Sequence, residues 1–229
     1  MFANVPVIVI SSANSEVGKT TLALNLAAAL WQDNYQVSLF APHNRSVETF
    51  IQNRRRYMAT HHVQLPMPNL ISSLDEFSAQ EGVQEVVVAD IPSAENVQYA
   101  SVFAAAHTLI SVVKQKNDPH WLEKNKYADL VWQAKKEVAA RGIKYLNWIV
   151  VPNRQSEDNI DSAFDPRIDE KKYGYRTAQG LMERHVFQCV ETGICPADRI
   201  AAKLADMTMD DVYARREILQ LTAFLWQNK

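Results

Sequence analysis

Stretches of consecutive apolar residues alternate with longer segments of mixed polarity along most of the chain. The apolar stretches are rich in valine and isoleucine, which is typical of strands buried on both faces of a parallel sheet. Predicted strands cover residues 5–10, 36–40, 85–89, 108–113 and 145–151, and predicted helices cover residues 19–32, 47–60, 94–105 and 119–140. This alternation predicts a Rossmann-like α/β fold with a mainly parallel sheet, helices on both faces and right-handed crossovers.

The last third of the chain has a different pattern, with no further strong strand. Residues 161–176 are polar and turn-rich, and helical segments are predicted near residues 178–191 and 209–227. The second of these has a mainly apolar face, so we expect it to pack on the edge of the sheet. That face consists of Val212, Ile218, Leu219, Leu221, Thr222 and Leu225. Because no internal repeat or low-complexity segment interrupts the chain, we predict one domain over residues 1–229.

Composition narrows the class of protein. The chain has 229 residues, of which 47% are hydrophobic, and this is enough to bury a full core. A formal net charge of -2 gives no general attraction to nucleic acid or to an anionic membrane. The sequence shows no leader segment and no apolar run of membrane-spanning length, so we expect a cytoplasmic protein with no membrane span. Cys189 and Cys195 are predicted to be ordinary thiols of a reducing compartment.

The chemistry is concentrated after the first strand, where a tight loop leads into a helix that opens with Gly-Lys-Thr-Thr. This is the context of a phosphate-binding P-loop. Backbone N–H groups of the loop and of the helix N-terminus point at an anion, Lys19 adds a positive charge, and Thr20 offers a hydroxyl to Mg²⁺. The predicted nucleotide-binding residues are Ser15, Glu16, Val17, Gly18, Lys19, Thr20 and Thr21.

The loop half of this motif departs from the usual P-loop. Ala13 occupies the place of the first glycine, and Glu16 brings a carboxylate near the expected phosphates. Two unit charges 4 Å apart interact with about 4 kcal/mol at an effective dielectric of 20, and this penalty is smaller if Glu16 turns outward or contacts a base or a Mg²⁺-bound water. A P-loop that is inherited but no longer binds nucleotide therefore remains an alternative.

A second candidate residue lies at the end of the strand predicted at 85–89. Asp90 follows this apolar strand directly, which is the Walker B arrangement, in which a carboxylate reaches Mg²⁺ through a bound water. The alternative is an aspartate that caps the next turn. We favour the metal role because the P-loop follows another strand of the same sheet. The predicted metal-binding residues are Thr20 and Asp90.

The segment after the strand at 36–40 lacks the carboxylate that would orient an attacking water. It reads Ala41-Pro42-His43, and His43 could act as a base in its place, although a single loop histidine is more often solvated. On the following helix, residues 54–56 are three consecutive arginines, which point in different directions and are predicted to be solvated. From residue 154 to residue 172 acidic side chains outnumber basic ones, which argues against a phosphate-backbone interface.

Together these segments resemble the ParA/MinD superfamily of deviant Walker A ATPases, and within it the MipZ group of division-plane positioning proteins. The Gly-Lys-Thr-Thr motif is common to the superfamily, and segments farther along the chain are similar to the MipZ group in particular. Those segments are residues 50–57, 63–66, 146–154, 173–176, 180–181 and 213–217. The resemblance extends over nearly the whole chain.

The resemblance implies a function as well as a fold. Members of this family bind ATP and Mg²⁺, dimerise face to face over two ATP molecules and hydrolyse them slowly. The MipZ group binds the partition protein ParB and DNA and opposes FtsZ polymerisation. By resemblance we expect ATP or ADP with Mg²⁺, a homodimer, and a ParB-like or FtsZ-like protein partner, with a role in cell division or in chromosome or plasmid partition.

Several positions differ from the family pattern. The signature lysine that reaches the partner's ATP is Asn14 here, and the water-orienting aspartate after the second strand is Ala41. Ser15 and Glu16 replace two loop glycines, and residues 93–94 replace the Gly-Gly that follows the Walker B proline. The segment that corresponds to the basic DNA-binding helix is acid-rich, which argues against DNA binding. The expectation is at most a slow ATPase with weak or absent hydrolysis.

Two other functions remain open from the sequence. A pseudo-ATPase that binds no nucleotide could use the same fold as a protein-interaction module. Dethiobiotin synthetases resemble the loop of residues 16–20 by carrying Glu-Val-Gly-Lys-Thr and still use ATP, so Glu16 does not exclude nucleotide. Their substrate-binding segments, a Lys-Pro and a Glu-Gly-Ala-Gly-Gly, are missing here, which makes such an enzyme the lesser alternative.

Overall fold

The computed structural model describes residues 6–79, 86–114, 121–142, 145–155, 165–204 and 206–227. Its centre is a seven-stranded sheet in the order β3-β2-β4-β1-β5-β6-β7, and every pair of neighbouring strands is parallel. The strands are β1 Val7–Ser11, β2 Val37–Phe40, β3 Asn69–Ile71, β4 Val86–Asp90, β5 Thr108–Lys114, β6 Asn147–Asn153 and β7 Arg176–Thr177.

Helices cover both faces of the sheet. They are α1 Lys19–Gln32, α2 Arg45–His61, α3 Leu74–Ala79, α4 Ala100–Ala105, α5 Tyr127–Ala140, α6 Glu170–Tyr173, α7 Pro196–Ala201 and α8 Met209–Trp226. Alternate residues of β1 point to opposite faces, so Ile8 and Ile10 pack with α1, α2 and α8, while Val7 and Val9 pack with α4 and α5. The predicted α/β fold is confirmed.

The five predicted strands all occur, and their observed ends differ from the prediction by at most two residues. The two strands that the pattern missed, β3 and β7, have three and two residues and lie at the two edges of the sheet. Both are too short to show a period of alternation. The central strands were predictable because they are buried on both sides, and this requires long runs of apolar residues.

Most predicted helices also occur, but the helix predicted over residues 178–191 is wrong. Among these residues the structure has only a three-residue 3₁₀ helix, His185–Phe187. The chain instead runs along β6: Ala178 N donates to Val150 O at 3.0 Å, and Leu181 N donates to Pro152 O at 2.8 Å. These carbonyl groups lie on the side of β6 that also pairs with β7, and the hydrogen bonds to β6 replace the intrahelical ones.

The helices predicted at 94–105 and 119–140 are each preceded by a 3₁₀ turn. A 3₁₀ helix, Ser93–Tyr99, comes before α4, and another, Trp121–Lys126, comes before α5. The predicted starts at residues 119 and 120 lie outside the described residues. Both short segments are consistent with the common use of 3₁₀ turns at helix ends.

The last helix, α8, packs mainly on α1 and α7, and its final turn reaches the sheet edge. There Asn147 Nδ2 of β6 donates to Leu225 O at 3.2 Å. The predicted apolar face is confirmed for Ile218, Leu221 and Leu225, which are buried, whereas Val212 is 37% exposed. Among the described residues, no helix is both long enough and apolar enough to cross a membrane.

The expectation that residues 54–56 are all solvated is wrong for Arg54, which is fully buried. Its guanidinium group forms a bidentate ion pair with Asp198 at 2.7 and 2.8 Å, and it also donates to Pro66 O and Gly193 O. These four hydrogen bonds satisfy the buried charge, which would otherwise be very costly. Arg55 and Arg56 are exposed, as predicted.

Candidate functional site

The P-loop connects the carboxyl end of β1 to the first residue of α1. Two of its residues have a left-handed backbone, Glu16 with φ 56° and Gly18 with φ 93°. A side chain at Gly18 would also collide with Asn153, whose Nδ2 donates to Val17 O at 2.8 Å. The end of β6 therefore holds the loop from the side, and Gly18 is required both by its φ and by this close approach.

Glu16 lies at the exposed tip of this loop together with Ser15. A solvent-exposed carboxylate interacts through a high dielectric, so its repulsion of an anion is far weaker than that of a buried one. The exposure of Glu16 weakens the repulsion between its carboxylate and an anion at the N-terminus of α1.

Thr20 and Asp90 come together because β4 lies directly beside β1, with Asp90 paired to Ile10 in the register. Thr20 Oγ1 donates to Asp90 Oδ2 at 2.6 Å. Burial raises the pKa of Asp90, and the hydrogen bond from Thr20, the charge of Lys19 and the hydrogen bond from Asn44 oppose this shift. A hydroxyl and a carboxylate are hard oxygen ligands, so this pair fits the chemistry of Mg²⁺.

Lys19 extends across the P-loop toward the segment after β4. Its Nζ donates to Ser93 Oγ at 2.6 Å and to Asn14 O at 3.5 Å, while Ser93 Oγ donates to Asn14 O at 2.6 Å. Desolvation by burial lowers the pKa of Lys19 below its ordinary value, and the nearby charge of Asp90 opposes this shift only in part. The ammonium group is thus hydrogen-bonded to neutral oxygen atoms, and a phosphate could replace them.

Asn44, to which no sequence motif pointed, belongs to the same site. It is the N-cap of α2, and its side-chain Nδ2 donates to Asp90 Oδ2 at 2.7 Å and to Thr20 Oγ1 at 3.1 Å. The sequence signal was limited to an asparagine just before a predicted helix, which indicates a cap and nothing more. Its contact with Asp90 depends on the pairing of β2 with β4.

Ala41, where the family has its water-orienting aspartate, and His43, considered as a base in its place, contribute no such contact. Ala41 is buried and carries no polar side-chain atom. His43 is exposed, with φ 53°, and in the described residues none of the hydrogen bonds of Lys19, Thr20 or Asp90 involves it. The segment after β2 therefore brings an amide, that of Asn44, to the site and no base.

An open pocket adjoins the P-loop on the side of β6, with about 470 Å³ of empty space that includes the adjoining solvent. One wall is fixed by Arg184, which pairs with Glu217 at 2.8 Å and with Asp210 at 2.5 Å. The lining residues are Gly18, Thr21, Leu22, Asn25, Asn153, Arg154, Leu181, Met182, Glu183, Arg184, Phe187, Gln188 and Ile218.

The fold and the loop define a parallel α/β protein of the P-loop class, with the loop at the carboxyl end of the central strand β1. A family model described as ATPase MipZ matches residues 6–114 and, in a second and overlapping match, residues 77–227. The chain therefore belongs to the MipZ family of ATPases, within the ParA/MinD superfamily. No curated protein matches the chain.

Solved structures of low sequence identity share the fold. MinD in the MinC:MinD cell division protein complex of Aquifex aeolicus is 14% identical, with TM-score 0.56 over 93% of this chain and 95% of that one. A putative plasmid partition protein from Borrelia burgdorferi bound to AMPPNP is 14% identical, with TM-score 0.56 over 96% and 99%. The septum site-determining protein MinD of Pyrococcus horikoshii, complexed with Mg-ADP, is 12% identical, with TM-score 0.56 over 97% and 99%.

Proposed function

We propose that this protein is a nucleotide-dependent positioning switch of the ParA/MipZ type, which binds ATP or ADP with Mg²⁺ and hydrolyses ATP very slowly. The observation that carries this proposal is the meeting of Thr20 Oγ1 and Asp90 Oδ2 at 2.6 Å beside the P-loop lysine. The Thr20 hydroxyl and the Asp90 carboxylate are oxygen ligands of the kind that Mg²⁺ prefers, and they lie next to the helix N-terminus that would hold the phosphates.

The residues of the site have separate roles in this proposal. The backbone of residues 15–21 and the ammonium of Lys19 hold the phosphates, while Thr20 and Asp90 hold Mg²⁺, Asp90 through a bound water. The open pocket between the loop and β6 takes the base and the ribose, because it begins at Gly18 and Thr21. Bound Mg²⁺ supplies charge neutralisation between the phosphates.

Slow hydrolysis follows from the groups that this chain lacks. Phosphoryl transfer requires an oriented water and positive charge at the transferred phosphoryl group. Asn14 stands where the family has a lysine, and Ala41 stands where it has an aspartate; neither side chain can supply these functions. The bound ATP therefore persists for a long time. In this proposal the nucleotide-bound form carries the function, and hydrolysis contributes little to it.

The output of the switch is an association with protein partners. We propose that nucleotide binding favours a homodimer and that the dimer engages a division or partition protein of the ParB or FtsZ kind. Membership of the MipZ family supports this, as does the fold shared with a MinD that is in complex with MinC. The same membership favours the switch over a dethiobiotin-synthetase-like enzyme.

One observation favours the alternative of a pseudo-ATPase that binds no nucleotide. Lys19 is already hydrogen-bonded to Ser93 and Asn14, so its charge has partners without a phosphate. In that case the fold would serve only as a protein-interaction module. The two functions differ in a single measurable property, the affinity for nucleotide.

Calorimetric titration of the protein with ATP and with ADP, with and without Mg²⁺, tests the proposal. We expect binding that is tighter with Mg²⁺ and that is lost in Lys19→Ala, and Lys136→Ala serves as the matched control because Lys136 is exposed on α5. Light scattering with and without ATP and Mg²⁺ reports the dimer. Equal affinity of the wild type and Lys19→Ala would place the nucleotide elsewhere, and no binding at all would exclude the switch and leave the interaction module as the alternative.

A further inference from the structure

The amide of Asn44 uses all of its hydrogen-bonding capacity in this site. Its Oδ1 accepts from the backbone N–H groups of Ser46 at 3.0 Å and Val47 at 3.3 Å, which caps α2. Its Nδ2 donates to Asp90 Oδ2 at 2.7 Å and to Thr20 Oγ1 at 3.1 Å. An amide has two donor hydrogens and two acceptor lone pairs, so one side chain joins the metal-binding pair to the start of a helix.

The orientation of this amide is set by its neighbours. Ser46 N and Val47 N can only donate, and they therefore require an oxygen atom opposite them. The carboxylate of Asp90 can only accept when ionised, so it requires the NH₂ group. The positive end of the amide dipole consequently points at the two oxygen atoms that the proposed function assigns to Mg²⁺.

We infer that Asn44 is a positioning residue that takes the place of Mg²⁺ beside Thr20 and Asp90 and couples metal binding to the N-cap of α2. The inference rests on the proposed function, because it assigns Mg²⁺ to that pair. The amide NH₂ occupies Thr20 Oγ1 and Asp90 Oδ2, the oxygen atoms that the cation and its bound water would need, so each weakens the binding of the other. Asn44 thereby sets the Mg²⁺ concentration at which the site fills.

The coupling to α2 follows from the rigidity of the amide. Nδ2 and Oδ1 belong to one planar group, so movement of Nδ2 away from a cation also moves Oδ1 away from Ser46 N and Val47 N. Both N–H groups lie in the first turn of the helix; the Asn44 side chain is the acceptor of Ser46 N, whereas Val47 N also donates to Asn44 O at 3.1 Å, so Ser46 depends most on the cap. Loss of this cap loosens the first turn of α2. The order of that turn, and the surface it presents, therefore change when Mg²⁺ binds.

Two variants keep the capping oxygen of Asn44 and change its NH₂ group, so they test the two ends of the amide separately. Asn44→Ser keeps a capping oxygen and removes the NH₂ group, and Asn44→Asp keeps the cap and places a second carboxylate beside Asp90. We expect the Mg²⁺ midpoint of the ADP complex to fall by about threefold or more in Asn44→Ser and further in Asn44→Asp. Asn69→Ser, which alters an exposed asparagine on β3, is the matched control and should leave the midpoint unchanged.

The measurement is a titration of the full chain with MgCl₂ at saturating ADP, followed by calorimetry and by hydrogen exchange at Ser46 and Val47. In the wild type we expect Mg²⁺ to speed exchange at these two amides by about threefold or more, and in Asn44→Ser we expect no such acceleration. Thermal unfolding of each variant without Mg²⁺ verifies that it is folded.

Two results would overturn the inference, and they are distinguishable. If Mg²⁺ and ADP bind but the midpoint is the same in the wild type, Asn44→Ser and Asn44→Asp, then Asn44 only caps α2 and the inference fails alone. If neither the wild type nor the variants bind ADP with or without Mg²⁺, the proposed function fails and the inference fails with it.

Discussion

Lys19 and Ser93 are joined by a hydrogen bond of 2.6 Å between Nζ and Oγ, across the groove between the P-loop and the segment that follows β4. The MipZ-like pattern has a glycine where this chain has Ser93, so the bond is a consequence of this chain's own departure. Ser93 Oγ in turn donates a hydrogen bond to Asn14 O at 2.6 Å. A phosphate that binds Lys19 must therefore displace a formed network, whereas with glycine at position 93 Lys19 would retain only its longer hydrogen bond, at 3.5 Å, to Asn14 O.

Replacing Ser93 by glycine should consequently strengthen nucleotide binding. A hydrogen bond to a charged group contributes roughly 1.5 kcal/mol or more, so removal of the competitor should lower the Kd for ATP by about tenfold. Calorimetry of Ser93→Gly against the wild type measures this. Ser73→Gly is the control, since Ser73 Oγ caps a short helix away from the P-loop. A higher Kd for ATP in Ser93→Gly than in the wild type would mean that Ser93 contacts the ligand and does not compete with it.

The sequence was sufficient to predict the central strands and the P-loop because both are local patterns. Gly18, Lys19 and Thr20 are fixed relative to the end of β1, and Asp90 is fixed relative to the end of β4. The hydrogen bonds of Ser93 and Asn44 join residues far apart in the chain, and no spacing rule predicts them. Their roles depend on the pairing of strands.

Arg54 shows the same limit in the core. Its helical spacing from Val47, Phe50 and Ile51 places it on the inner face of α2, but a charged side chain at that position gives no sign that it is buried. Its partner Asp198 lies 144 positions farther along the chain, in a segment whose structure the pattern did not predict well. Helix periodicity shows which residues share a face, but a single charged residue on the inner face is recognisable only once its partner is known.

The ion pair of Arg54 and Asp198 should be among the most important polar contacts for stability. Both side chains are fully buried, so removing one charge leaves the other without compensation, at a cost of about 3 to 5 kcal/mol. Asp198→Asn should therefore lower the free energy of unfolding in urea by about this amount. Arg55→Ala, an exposed neighbour, should change it by less than about 0.5 kcal/mol. Equal effects of the two substitutions would contradict the burial of Arg54.

Stability in alkali should depend on Tyr127. Burial raises the pKa of Tyr127 to about 12, against the opposing hydrogen bonds from Ser111 and Ser11. A phenol with a raised folded-state pKa contributes stability that is complete below the unfolded value near 10 and is lost as pH rises from about 10 to about 12. Tyr127→Phe should lose less stability than the wild type between pH 9 and about 11.5, measured by urea unfolding. Tyr35→Phe, at an exposed site, should behave as the wild type does.

Hydrolysis should return when the missing groups are restored. Asn14→Lys supplies the positive charge and Ala41→Asp supplies the carboxylate that orients water, and each such group typically contributes about 10²-fold or more in rate. The wild type should turn over ATP near the limit of detection, and the double variant should be faster than either single variant. Single-turnover assays with radiolabelled ATP measure the rates, and calorimetry verifies that each variant binds ATP. Since Ala41 is buried, thermal unfolding must also show that Ala41→Asp is folded. Wild-type turnover equal to that of a family member with both groups intact would show that another residue, His43 foremost, orients the water, and His43→Ala would then abolish it.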